Sequence, residues 1–147
     1  MNHGPQRIGI TVGDPAGIGP EVVSAALRTG GLPDAEFSVY GDLEAVERAG
    51  GLPAGSVLRP FRSACVQPGK PDPAAAAGVV ESIRHAARDC LEQRLDAMAT
   101  APISKQVMGE AGFPFPGHTE LLAEVENQIR GAVSGDLGQQ LIELMES

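Results

Sequence analysis

Tryptophan is absent from the 147-residue chain, and it has only one tyrosine and four phenylalanines. A core with so few large rings has to be assembled from Ala, Val, Leu and Ile. Cysteine is nearly as scarce. Cys65 and Cys90 lack metal-type spacing. With no signal-peptide pattern at the start, reduced thiols in a cytoplasmic protein are expected. No apolar run reaches the roughly 18 residues of a membrane-spanning helix. Positive charge is in deficit, with 11 Lys and Arg against 19 Asp and Glu and a net charge of −8. A nucleic-acid partner needs a basic stripe, and none is present. A local cationic pocket for a small anion stays compatible with that balance. The three histidines, His3, His85 and His118, are scattered, so no metal site is evident. His3 falls in a loose terminus, and His85 sits among charged neighbours where a solvated ring is expected.

What the chain has in quantity is Gly and Pro, 19 and 12, placed between apolar runs rather than in one block. Residues Arg7 to Val12 alternate and read as a strand. A Gly/Pro loop, Gly13 to Gly19, follows, and Pro20 and Glu21 open a helix to about Arg28. Phe37 to Tyr40 is a second strand, and Asp42 caps a short helix closed by Gly50 and Gly51. Val57 to Pro60 is a third strand. Asp72 caps the next helix with Pro73 just inside it. There Val79, Val80, Ile83, Ala86, Ala87, Cys90 and Leu91 recur at helical spacing. Leu95 to Ala101 reads as a buried strand, Ser104 caps a short helix stopped by Gly112, and Thr119 caps a final one. Strands alternating with helices predict an α/β layer with a largely parallel sheet. Ligands in such sheets bind outside the carboxyl ends of the strands, so the loops after Val12 and after Thr100 are candidate site loops.

Three segments could carry chemistry. GDPAGIGPE, Gly13 to Glu21, joins a strand to a helix, and its glycines permit tight turns or close approach of a ligand. It is neither a GxGxxG fingerprint nor a Walker loop. Asp14 is either a polar contact in a cleft or a turn former. TAPISK, Thr100 to Lys105, brings two hydroxyls and an ammonium to a helix start, suited to phosphate or carboxylate. The alternative is a solvated Lys105 with Ser104 as cap. In GHTE, Gly117 to Glu120, the His118 imidazole and Thr119 hydroxyl could grip a polar substrate. The alternative is Thr119 as a cap and His118 as a turn residue.

Taken together and in order, ITVGDPAGIGPEV, PGKPDPAAAAGVVESI, ATAPISK and AGFPFPGHTELLAE resemble the 4-hydroxythreonine-4-phosphate dehydrogenase (PdxA) family. The likeness reaches relatives acting on four-carbon sugar-acid phosphates or aromatic cis-diols. GDPAGIGPE is also similar to the GDGIGPE turn of isocitrate and isopropylmalate dehydrogenases. The resemblance implies a three-layer α/β/α fold of that dehydrogenase type, with a mostly parallel sheet that is incomplete relative to the family. Family subunits have two domains around a cleft and pair as homodimers. It implies NAD- or NADP-dependent oxidation of a secondary alcohol and then decarboxylation, in pyridoxal phosphate biosynthesis. A divalent metal would act as Lewis acid on the alcohol and ketone oxygen. The substrate would be a phosphorylated hydroxy amino acid or a sugar-acid phosphate. By motif, His118, Thr119 and Lys105 match substrate-binding positions. Asp14, Gly17, Gly19 and Glu21 match the N-terminal cleft loop more weakly.

The likeness covers residues 7–124, an N-terminal portion assigned to 1–124. Residues 125–147 form a tail that does not match. Family members are more than twice this length. Their metal-ligand histidines follow GHTE, whereas no His follows Glu124 here, so no metal ligand is expected in this chain. The nicotinamide-binding region is missing as well. The chain is therefore expected to be truncated relative to the family, with little or no turnover alone. Leu137, Leu141, Leu144 and Met145 would give the tail an apolar strip that closes the first domain. Two other roles are weighed: a non-catalytic module that holds a small anion, and a self-associating interaction domain.

Overall fold

The computed structural model describes residues 4–61, 66–113 and 117–132, with side chains described up to residue 127. Four strands form one sheet: β1 (Gln6–Thr11), β2 (Ala35–Gly41), β3 (Val57–Pro60) and β4 (Ala97–Thr100). Their order is β3-β2-β1-β4, and every pairing is parallel. Parallel neighbours need crossovers, and helices supply them. These are α1 (Gly19–Arg28), α2 (Leu43–Arg48) and α3 (Ala76–Leu91), with α4 (Lys105–Glu110) and α5 (His118–Ala132) after β4. A single 3-10 turn, Pro73–Ala75, leads into α3.

Alternation along β1 divides the molecule into layers. Ile10 packs with Val12, Val23, Leu27, Val39, Val46 and Ala101 on the side of α1 and α2. The other face carries Gly9, which leaves room for Leu95 and Tyr40, since an added Cβ would lie 2.5 Å from Leu95 Cδ1. There Val79, Val80 and Ile83 of α3 meet Val107 and Met108 of α4 and Leu121 and Val125 of α5. Each fully buried aliphatic side chain of this kind contributes about 1.5–3 kcal/mol. The result is the expected three-layer α/β/α arrangement around a parallel sheet.

Short caps set the helix starts. Asp42 accepts from the Ala45 N–H at 2.8 Å, Asp72 from Ala74 at 2.9 Å, and Ser104 from Val107 at 3.2 Å. All three match the sequence reading. The end of α3 is held differently. Gln93 takes a left-handed conformation with φ +63°, and the Arg94 N–H reaches back to the Asp89 carbonyl at 2.8 Å. The Asp89 carboxylate accepts from the Tyr40 hydroxyl at 2.5 Å and from Arg94 at 2.6 Å. Burial pushes the Asp89 carboxyl up, but Tyr40 and Arg94 outweigh it and hold it below its ordinary value. Sheet and helix end are thereby pinned together.

Two expectations change. Leu95 to Ala101 is not a buried strand: β4 is the sheet edge, with β1 as its only strand neighbour among the described residues, and Ala97 and Ala99 are exposed. Leu95 and Ala101 are buried, but they lie just before and just after the strand. Thr119 does not cap α5, because the helix begins at His118 and the Gly117 carbonyl accepts from the Leu121 N–H at 3.2 Å. His3, Cys65 and the apolar strip Leu137 to Met145 lie outside the described residues. His85 is exposed as expected and rests against Phe61, ring centroids 4.9 Å apart.

Candidate functional site

The first three strands step outward from β1 to β3, and α3 then returns the chain across the sheet to place β4 on the free side of β1. The direction of winding reverses between β1 and β4. In open α/β sheets, the crevice outside the carboxyl ends at such a reversal is where ligands bind. The loops leaving β1 and β4 are the GDPAGIG and TAPISK segments.

These loops touch. The Asp14 N–H donates to the Pro102 carbonyl at 3.2 Å. Gly13 has φ +73°, and a Cβ there would overlap that same carbonyl. Gly19 is packed as tightly: a Cβ would overlap the Val12 carbonyl and come within 3.1 Å of the Ala101 Cβ. At both positions glycine serves contact of chain on chain. Gly17 is exposed, and a Cβ there would meet only Asp14, its carbonyl 3.4 Å away. Asp14 is buried, and its side chain accepts from the Ala16 N–H at 2.8 Å while its carbonyl accepts from Gly17 at 3.0 Å. Those bonds build the turn. Glu21 is exposed at the start of α1 and lines, with Pro15, Gly17, Pro20 and Arg48, a small cleft of about 40 Å³.

The remaining sites sit beside this pair of loops. Lys105 is the first residue of α4, exposed, and in no ion pair among the described residues. A cation at the positive end of a helix gains nothing from the helix itself, so an anion is its natural complement. Thr119 is exposed in the first turn of α5. His118 is half-buried, and burial pushes its imidazole below the ordinary value against an opposing hydrogen bond with the Ala101 backbone. Its Nε2 is buried without a hydrogen-bond partner. Ala101 and Pro102 thus join the first loop and the start of α5. The sequence reading passed over Thr11, the last residue of β1, fully buried with its hydroxyl unpartnered. Its only visible signal was its place at the strand end before the glycine loop.

No group of three or more His, Cys, Asp or Glu side chains suited to a metal occurs among the described residues. The described residues therefore do not by themselves fit a metal centre. The first loop does not fit a dinucleotide cradle either, since chain backbone fills the space beside Gly13 and Gly19. No described helix is long and apolar enough to cross a membrane.

The family model for the pyridoxal phosphate biosynthetic protein PdxA matches residues 19–134. The chain belongs to the PdxA family. A 4-hydroxythreonine-4-phosphate dehydrogenase of Geobacter metallireducens is 41% identical over 143 residues, covering 81% of this chain and 42% of the relative. Among solved structures, the Klebsiella pneumoniae 4-hydroxythreonine-4-phosphate dehydrogenase superposes with a TM-score of 0.74 at 31% identity, over 85% of this chain and 45% of that one. A terephthalate 1,2-cis-dihydrodiol dehydrogenase from Burkholderia xenovorans, at 22% identity and TM-score 0.64, shares the fold. This PdxA-family chain spans about two-fifths of the length of the curated relatives it matches.

Proposed function

We propose that this chain provides the substrate-holding portion of a 4-hydroxythreonine-4-phosphate dehydrogenase-type enzyme. The observation that carries the reading is the meeting of the two loops at the reversal point, with His118 hydrogen-bonded to the same stretch of chain. Lys105 and the first N–H groups of α5 suit the substrate phosphate or carboxylate, which arrives as an anion. His118, held neutral by burial, and the Thr119 hydroxyl suit the substrate's hydroxyl and amine, because each can donate or accept. The relatives' names point to oxidation of a phosphorylated hydroxy amino acid. In the full reaction a nicotinamide takes the hydride and a divalent metal stabilises negative charge on oxygen. No step through either group is assigned to the residues described here. Without them in place the chain alone is expected to bind substrate but turn it over little, since near-attack geometry needs both partners fixed. The expected homodimer and cytoplasmic setting are carried into this proposal.

Calorimetry with 4-phosphohydroxy-threonine tests it. The intact chain should bind, and Lys105→Ala and His118→Ala should each weaken binding by about tenfold, the loss of a charge-assisted or partly buried hydrogen bond. No heat with the intact chain, or unchanged affinity in both variants, would refute it.

A second reading, self-association, is favoured by one observation: the exposed β4 edge lies on the same chain as Ile18, 64% exposed, and Val22, 52% exposed. Sedimentation decides whether the chain pairs with itself.

A further inference from the structure

Inside the switch-point rim, two polar atoms are without partners among the described residues, the Thr11 hydroxyl and His118 Nε2. Both belong to residues tied to Ala101. The Ala101 N–H donates to the Thr11 carbonyl at 2.8 Å, and His118 hydrogen-bonds with the Ala101 backbone. Both also lie on the α3 side of the sheet. Thr11 pairs in register with Tyr40, whose ring packs against Ala86 of α3. His118 begins α5, whose Leu121 and Val125 pack against α3. Thr100, the other register partner of Thr11, shares that face by alternation from Met98, which packs against the α3 clusters. Thr11 is fully buried, out of reach of a substrate in the cleft.

A buried hydroxyl and a buried ring nitrogen without partners each cost more than a solvated pair, and a shared ordered water removes both costs. We infer that Thr11 is a positioning residue for His118: its hydroxyl and His118 Nε2 share one buried water, which fixes the tautomer and orientation of the imidazole. The inference deepens the substrate-holding proposal and rests on it for its functional meaning. Tautomer choice matters there, because a neutral ring presents one donor and one acceptor, and the bond made at one nitrogen decides which the other offers. With Nε2 held by the water and the other ring nitrogen by the Ala101 backbone, the imidazole is fixed at the start of α5, beside the Thr119 hydroxyl and the N–H groups that face a ligand.

The test uses ring nitrogen NMR shifts of the intact chain at alkaline pH, with His118 assigned by loss of its signals in His118→Gln. The wild type should show one dominant tautomer. Thr11→Val keeps the shape of the side chain and removes the hydroxyl, so the tautomer ratio should fall about fivefold, the worth of one hydrogen bond. Thr11→Ser should restore the wild-type pattern, and circular dichroism verifies folding of both. If Thr11→Val unfolds the chain, Thr11→Ala is read in its place: a lowered ratio supports the water, and the wild-type ratio overturns it. An unchanged ratio in a folded Thr11→Val also overturns it. The readout needs no substrate, so failed ligand calorimetry with a tautomer shift sinks only the functional reading, and the reverse result sinks only this one.

Discussion

His118 carries its ring where burial disfavours charge, so the folded chain holds fewer protons than the unfolded one near neutrality. The sign follows from linkage. A folded value below the unfolded one, about 6.5, gives stability that is complete above that pH and declines as pH falls through it toward the folded value. Thermal melts from about pH 8 to about pH 5.5 should therefore show Tm dropping in the wild type and dropping less in His118→Gln. An equal drop in both would show that the ring is solvated and that the rim is looser than described. Asp89 is also held low in the folded state, but its loss falls in the more acidic range of carboxylates and stays outside this window.

At the scale of elements, the two site loops meet most tightly where Gly13 lies against the Pro102 carbonyl. Gly13→Ala adds a Cβ at φ +73° and into a backbone atom, so it should destabilise by about 2–4 kcal/mol and weaken ligand binding with it. Urea denaturation measures the first and calorimetry the second. Gly17→Ala meets only Asp14 and should cost far less, and equal losses at both positions would mean the loops do not meet as described. These elements were legible to different degrees. Asp42, Asp72 and Ser104 were readable as caps because each precedes an apolar-periodic run and its side chain is free to turn back. Thr119 was misread because GHTE offers two starts, and the bond between His118 and Ala101, remote in sequence, favours the earlier one. The β4 edge was invisible for another reason: alanines at 97 and 99 read as apolar, yet are small enough to tolerate water. The site loops could be named from the glycine and proline punctuation. Their mutual contact and the buried Thr11 hydroxyl could not, since both arise only when β4 returns beside β1.

For the whole molecule, the exposed edge sets an expectation about assembly. Among the described residues, β4 has no strand partner along Ala97–Thr100 on the side away from β1, and no charged side chain or proline lies within that strand to discourage pairing. Sedimentation of the chain should show concentration-dependent association, and Ala99→Lys should shift it toward monomer with little loss of stability. A monomer at all concentrations would remove the self-association reading and leave the ligand reading untouched. The opposite edge is blunted already, because β3 ends at Pro60. The uniform strand direction has a last consequence. With four parallel strands, the loops that leave their carboxyl ends gather on one crown, and the apolar layers beneath never touch whatever those loops hold. A lineage can therefore retune which small acid is recognised by redrawing the crown alone, while the foundation carries on unaltered.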